Sequence, residues 1–286
     1  MSKERGIHCE ENFRSSEKSL YLQMDRERVY LGRLLLINAE HPLRGQGEPA
    51  SLARAGSLPG IRSLEPRIAL EETCLHALAA LLAEAEAEED ILVVSGYRSM
   101  EEQTLLYEQS LRDNGPVYTA SYVALPGRSE HQSGLAVDVG ERRYDDVLDL
   151  IAPSFPDEGR CLAFKRLAAK HGFIQRYKEG KEQWTSIACE PWHFRYVGAP
   201  HAEWMERLGF CLEEYIGFLK RYSYEGEWLA KDGDGEKSAI YFVQAEESGP
   251  TVVPIPVCDR YELSGNNADG FVVTAFWKER QPDRNG

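Results

Sequence analysis

Residues 135–139 alternate in polarity, with Leu135, Val137 and Val139 on one side and Ala136 and Asp138 on the other. A period of two marks a strand whose one face packs on a core. The same alternation sets a problem that the fold must solve. Asp138 stands on a sheet as an ionised carboxylate, and such a group is costly to bury without a partner. His131 lies in the loop leading into that strand, just before Gly134. The chain can therefore turn back and set an imidazole beside the carboxylate.

Other segments have readable periods. A helix is expected to open at Pro66 and run through Leu70, Cys74, Leu78, Leu81, Leu82 and Ala85. Ile91–Val94 reads as a buried strand, residues 95–99 as a loop, Met100–Arg112 as a helix and residues 113–130 as a Gly/Pro-rich loop. Residues 159–171 predict a helix stopped by Gly172, with strands starting at Phe173 and covering Trp192–Val197. Ala202–Tyr222 predicts one helix, Val29–Asn38 a strand, and residues 44–64 a long surface loop. Gly226–Lys237 reads as a linker, before β-rich stretches at Ala239–Ala245, Thr251–Val257 and Phe271–Trp277. The expected division is a lead-in over 1–28, a main domain over 29–223 and a small β-rich domain of unknown role over 224–286.

A chain of 286 residues is long enough for about two domains. The formal net charge is −14, from 33 basic and 47 acidic side chains. That balance excludes nucleic acid and anionic membrane as default partners. No run approaches the ~18–20 apolar residues of a membrane helix, and the charged N-terminal stretch has no signal-peptide core. A cytoplasmic location is expected if Met1 is the natural start, and an extracellular or wall-associated one if a signal or anchor was trimmed. Cys9, Cys74, Cys161, Cys189, Cys211 and Cys258 form no C-x-x-C pair and read as reduced, mostly buried side chains.

Three groups carry chemistry: Ser95-Gly96-Tyr97-Arg98-Ser99, the run Ser129–Asp138, and Glu190-Pro191-Trp192-His193. His131, Asp138 and His193 are two imidazoles and a carboxylate, a normal set for catalytic Zn²⁺ with one open position. Glu190 and His193 are three apart, so a regular strand would point them to opposite faces. Pro191 disfavours regular pairing. A turn or bulge is therefore expected that brings Glu190 to the attacking water while His193 ligates. Glu190 can then accept the water's proton and deliver it to the leaving amine, with the metal polarising the scissile carbonyl. Arg98 follows a strand end and a glycine, and its guanidinium suits a two-bonded grip on a free C-terminal carboxylate. Gln103, Ser129 and Ser133 are candidates for added neutral hydrogen bonds.

Each residue alone has a plainer reading. His131 can be a core histidine, Asp138 a turn cap, Glu190 a surface acid, Arg98 the partner of one of the many acids, and Trp192 packing. His8, His41, His76, His171 and His201 are read as structural. Two His and one carboxylate also describe the facial triad of non-haem iron oxygenases, which leaves Glu190 without a task. A non-catalytic zinc-containing peptide binder is a further alternative, although structural zinc usually has four protein ligands.

The runs S-G-Y-R-S, S-E-H-Q-S-G-L-A-V-D and E-P-W-H-F-R-Y-V-G, in that order, resemble the zinc D-alanyl-D-alanine carboxypeptidases of the VanY type and the VanXY D,D-peptidases. The resemblance covers about Leu34 to Tyr222. It implies an α+β fold with a central antiparallel sheet, flanking helices and a zinc cleft on the sheet. It implies His131, Asp138 and His193 as zinc ligands, Glu190 as the base, and Arg98 with Gln103 and Ser129 around the substrate carboxylate. The implied substrates are peptidoglycan precursor or stem peptides ending in D-Ala, and the dipeptide D-Ala-D-Ala. An L,D-carboxypeptidase acting on tetrapeptide stems is the neighbouring alternative. The β-rich tail lies outside the family pattern.

Overall fold

The alternation at residues 135–139 becomes a strand in the computed structural model, which describes residues 19–44, 49, 51–142, 149, 151–233 and 235–278. In chain order the strands and helices are β1 (Leu20–Met24), β2 (Leu52–Arg54), β3 (Ala69–Glu71), α1 (Glu72–Glu84), β4 (Ile91–Ser95), α2 (Met100–Tyr122), β5 (Ala136–Glu141), α3 (Gly159–Ala168), β6 (Phe173–Tyr177), α4 (Glu182–Thr185), β7 (Glu190–Tyr196), α5 (Ala199–Leu208), α6 (Leu212–Leu219), β8 (Leu229–Asp232), β9 (Glu236–Gln244), β10 (Thr251–Ile255), β11 (Arg260–Gly265) and β12 (Gly270–Lys278). The fold is α+β with antiparallel sheets. Two compact units divide it: Ile37–Glu214, and Met1–Leu36 with Tyr215–Gly286.

In the unit Ile37–Glu214 the sheet order is β4-β5-β7-β6, with every neighbour antiparallel. Alternation sorts its two faces. Val137, Val139, Phe173 and Phe194 join Cys74, Leu75, Leu78, Leu81 and Leu82 of α1 and Cys161, Phe164 and Ala168 of α3 in one core. Phe155, Phe164 and Phe194 meet edge to face with ring centroids 5.0–5.8 Å apart, a geometry worth about 0.5–1.5 kcal/mol per pair beyond burial. The intervening residues Asp138, His193 and Arg195 are thereby placed on the opposite face, where the polar chemistry collects.

The other unit is β-rich. One sheet has the order β11-β12-β9-β8, and β1 pairs antiparallel with β10, Leu20 opposite Ile255. Trp228 fills its core, stacked on Tyr241 at 5.2 Å, and its indole N–H donates to Tyr224 O at 2.9 Å.

Several expected boundaries move. The described part of the lead-in is not an irregular preface: β1 is a strand of the β-rich unit, which therefore takes chain from both ends. Val29–Asn38 is not a strand. Arg26–Tyr30 forms a 3-10 turn, and the following backbone makes single bonds, Gly265 N to Leu31 O and Leu36 N to Asn266 O. The expected loop over 44–64, of which 45–48 and 50 lie outside the described residues, contains β2. The helix begins at Glu72 rather than Pro66, because residues 69–71 pair with β2 and the Glu71 carboxylate caps Cys74 N at 2.9 Å. Helix α2 continues to Tyr122 through a kink at Gly115. Ser110 and Thr119, both buried, bond across that kink at 2.8 Å. Gly209, at φ 66°, breaks the expected helix over 202–222 into α5 and α6. The expected linker over 226–237 contains β8, and β11 was not foreseen. Among the described residues Cys74, Cys161, Cys189, Cys211 and Cys258 are not joined in disulfides, and Cys74, Cys161 and Cys211 are buried; Cys9 and His8 lie outside the described residues. Among the described residues no helix is long and apolar enough to cross a membrane.

Candidate active site

Cross-strand register sets Asp138 of β5 opposite His193 of β7, although 55 residues separate them. His193 Nδ1 lies 2.9 Å from Asp138 Oδ1. His131 arrives by a different route. It sits in the 3-10 turn Glu130–Ser133, ended by Gly134 at φ 71°. That left-handed conformation suits glycine, and a Cβ there would meet Leu52 Cδ2 at 3.1 Å and Glu71 N at 3.2 Å. Ser133 is used up in this turn, its hydroxyl donating to Glu130 O at 2.6 Å and accepting from Leu135 N at 3.2 Å. The turn returns His131 Nε2 to 3.1 Å from Asp138 Oδ2. On the far side of the ring, His131 Nδ1 donates to Gly96 O at 2.7 Å. A carbonyl only accepts, so Nε2 is left with its lone pair toward Asp138. The loop after β4 thus cradles His131.

One ligand atom from each of His131, Asp138 and His193 lies within 4.8 Å of the others, and all three residues are buried. A tetrahedral Zn²⁺ with bonds of about 2.0–2.2 Å needs ligand atoms roughly 3.3–3.6 Å apart. The 3.1 and 2.9 Å separations run from the two imidazoles to the two different oxygens of Asp138, one ligand atom from each residue lies within 4.8 Å of the others, and the nitrogen and oxygen donors suit the ion. The residues fit zinc. Burial would raise the Asp138 carboxyl, but the two imidazoles hold it well below the usual range. Burial would lower His193, yet the Asp138 charge and hydrogen bond push it up to about 10. Burial lowers His131 despite Asp138.

Glu190 enters through an irregular pairing. Gln175 pairs with Phe194 and Tyr177 with Glu190, so a two-residue step on β6 spans four residues on β7. This register shift falls where Pro191 interrupts the ladder, and it leaves Glu190 Oε2 3.7 Å from His193 Nδ1. Burial pushes the Glu190 carboxyl up to about 8, with His193 and Arg98 pulling the other way.

Arg98 has neutral partners: its guanidinium donates to Gln103 Oε1 at 2.7 Å and Ser95 Oγ at 2.9 Å. Gln103 is itself held, donating to Ala124 O at 2.7 Å. Among the described residues no carboxylate lies within ion-pair distance of Arg98, so the plain reading of Arg98 as the partner of a protein acid is not what the structure contains. Arg98, Gln103, Ser129, Glu190 and the three His/Asp residues line one cleft of about 510 Å³ open to solvent, with Tyr177 and Trp192 in its wall. Trp192 also belongs to the apolar core.

Sequence reasoning gave no role to Glu130, Arg176 or Arg195. The Glu130 Oε1 accepts from Arg176 Nε at 2.8 Å and Arg195 at 2.7 Å, and Arg176 makes a two-bonded pair with Glu213 at 2.9 and 2.7 Å. The available signal was an arginine inside each of two strand segments bounded by apolar or aromatic residues, Ile174–Tyr177 and Phe194–Tyr196. Burial would raise Glu130 and Glu213, but the guanidinium charges hold both below the usual carboxylate range. Such groups stabilise the fold above the unfolded pKa of about 4.3 and lose that contribution as pH falls toward their folded values. From these two carboxylates, thermal melts are expected to fall steeply below about pH 4.3. Glu213→Gln should cost about 3 kcal/mol at pH 7 and flatten the acid limb. An unchanged acid limb in that variant would contradict this assignment.

An antiparallel sheet with two imidazoles and a carboxylate on its polar face, and a further carboxylate and an arginine in the same cleft, has the build of a metallopeptidase. The chain belongs to the VanY D-alanyl-D-alanine carboxypeptidase family, which it matches over residues 67–199. It is 43% identical over 189 residues to the bifunctional D-Ala-D-Ala dipeptidase and D-Ala-D-Ala carboxypeptidase VanXYC of Enterococcus gallinarum, covering 66% of this chain and 96% of that one. The crystal structure of the vancomycin resistance D,D-dipeptidase VanXYg, in complex with a D-Ala-D-Ala phosphinate analog, superposes with a TM-score of 0.83 at 42% identity, over 91% of this chain and 98% of that one. A mutant of the D,D-pentapeptidase VanY from a VanB-type resistance cassette, in complex with Zn(II), gives 0.51 at 28% identity, over 64% and 98%.

Proposed function

We propose that this chain is a zinc-dependent D,D-peptidase that removes the C-terminal D-Ala from peptidoglycan precursor peptides and splits the dipeptide D-Ala-D-Ala. The observation that carries the reading is the convergence of His131, Asp138 and His193, with Glu190 3.7 Å from His193. The D-Ala chemistry is supported by the relatives, which are named for it. His131 Nε2, an Asp138 oxygen and His193 Nδ1 would hold the ion. When bound, zinc supplies Lewis acidity at the scissile carbonyl and makes water acidic enough to ionise near neutral pH. Glu190 takes the proton of the attacking water and hands it to the amine nitrogen as the C–N bond breaks. Arg98 grips the substrate's terminal carboxylate, Gln103 and Ser95 aim the guanidinium, and Ser129 lines the same wall.

A hydrogen bond to a charged group is worth about 1.5–3 kcal/mol. Arg98→Ala should therefore lower kcat/KM about 10- to 100-fold, mainly through KM. Steady-state kinetics on free and C-terminally amidated peptides checks this, since equal cleavage of the amide by the wild type would remove the clamp. The function itself is tested by mass-spectrometric product analysis of the zinc-loaded protein with D-Ala-D-Ala, a pentapeptide and a tetrapeptide. Release of D-Ala from the first two is expected. Cleavage of the tetrapeptide alone would make it an L,D-carboxypeptidase, and retention of peptide without cleavage would make it a binder.

A further inference from the structure

Among the described residues, four buried polar side-chain atoms have no hydrogen-bond partner, and two of them face each other: Glu130 Oε2 and His193 Nε2, 3.6 Å apart. An unsatisfied polar atom in a protein interior is unusual and calls for an explanation. Glu130 has almost no freedom. It is 1% exposed, and its other oxygen is pinned by two fully buried arginines, Arg176 of β6 and Arg195 of β7. The two guanidinium bonds take Oε1, so Oε2 is the oxygen presented to the imidazole. On the other side of that imidazole, Nδ1 faces Asp138 Oδ1.

We infer that Glu130 is the positioning residue for His193: it accepts the Nε2–H, which fixes the ring's orientation and leaves the Nδ1 lone pair for the ion. A carboxylate is an acceptor only, so its partner nitrogen must carry the proton. The two histidines are then set in the same way through different partners. His131 is pinned at Nδ1 by the Gly96 carbonyl and offers Nε2; closing the 3.6 Å gap between His193 Nε2 and Glu130 Oε2 would pin His193 at Nε2 and offer Nδ1. Partners of this kind tune metal affinity without touching the metal. Arg176 and Arg195 therefore serve the site by aiming one oxygen, and Glu213 serves it by holding Arg176. An amide at position 130 cannot reproduce the arrangement. With its oxygen on the two guanidinium groups, its NH₂ faces Nε2 and drives the ring proton to Nδ1. In the flipped orientation, NH₂ meets two donors.

The inference rests on the proposed zinc-holding role of His131, Asp138 and His193. Its test is zinc affinity, measured by competition with a chromophoric chelator, on the wild type, Glu130→Gln and Leu78→Ala, a core truncation in α1, each with a thermal melt. Glu130→Gln is expected to weaken zinc about 10- to 100-fold, whereas Leu78→Ala lowers the melting temperature at wild-type affinity. Wild-type affinity in Glu130→Gln overturns the inference and leaves the zinc site standing. Parallel losses of affinity in both variants also overturn it, since Glu130 would then act only through stability. A wild type that takes up no zinc removes the proposed function and this inference together. Should Glu130→Gln fail to fold, nitrogen NMR of the zinc-loaded wild type decides. A His193 Nε2 proton shifted downfield by a hydrogen bond to a carboxylate is expected; an Nε2 proton without that shift overturns the inference, and a proton on Nδ1 removes the zinc-holding role of His193 with it.

Discussion

Glu190→Ala is expected to bind one equivalent of zinc as the wild type does and to lose about 10²- to 10⁴-fold in kcat, the range for a positioned general acid–base. The separation of the two readouts follows from geometry. Glu190 is not one of the three residues whose ligand atoms converge, so its removal leaves the cation set complete. It stands 3.7 Å from His193 Nδ1 in the shared cleft, so its removal leaves the attacking water without a proton acceptor. Burial holds the carboxyl high, up to about 8; a cation at the neighbouring ligand atoms would draw it down toward the basic form needed at neutral pH. Glu190→Gln controls for packing, because the side chain is only 5% exposed. Metal analysis with single-turnover kinetics measures both quantities. A kcat within a few-fold of wild type would take Glu190 out of the chemistry.

The second large effect is metal removal. Chelation should abolish peptide cleavage, and added Zn²⁺ should restore it. It should also lower the melting temperature, because the ion binds the folded chain and not an unformed site. At a free zinc concentration 100 times Kd the stabilisation is about 2.7 kcal/mol. For a unit the size of Ile37–Glu214 that corresponds to about 5–10 °C. His193→Ala should remove both the cleavage and the zinc-dependent shift in the melt. Calorimetry with and without chelator reads the shift. Full cleavage by the stripped protein would exclude a role for the metal in the reaction.

What could be read in the sequence depended on how local its cause was. Strand β5 was legible because alternation is a property of neighbouring residues, and it put Asp138 on the face away from the core. Pro191 in a strand likewise announced the register shift that carries Glu190. The Asp138–His193 pairing was not legible as physics, since a cross-strand register is set by packing between segments 55 residues apart; only the order of the motifs suggested it. The same holds for Glu130. In sequence it is one acid among 47 acidic residues, and its place is defined by two arginines on other strands. Helix ends failed where tertiary contacts overrode local signals. The Ser110–Thr119 bond carries α2 past Gly115, and pairing with β2 holds residues 69–71 extended ahead of α1. The lead-in failed for the same reason, because β1 finds its partner, β10, more than two hundred residues away.

The most direct test is diffraction from crystals grown with Zn²⁺, with anomalous data collected across the zinc absorption edge. A single strong peak is expected at about 2.0–2.2 Å from His131 Nε2, an Asp138 oxygen and His193 Nδ1, with Glu190 near the peak and not bonded to it. A peak held by other side chains, or none between these three, would contradict the site on which the proposed hydrolysis depends.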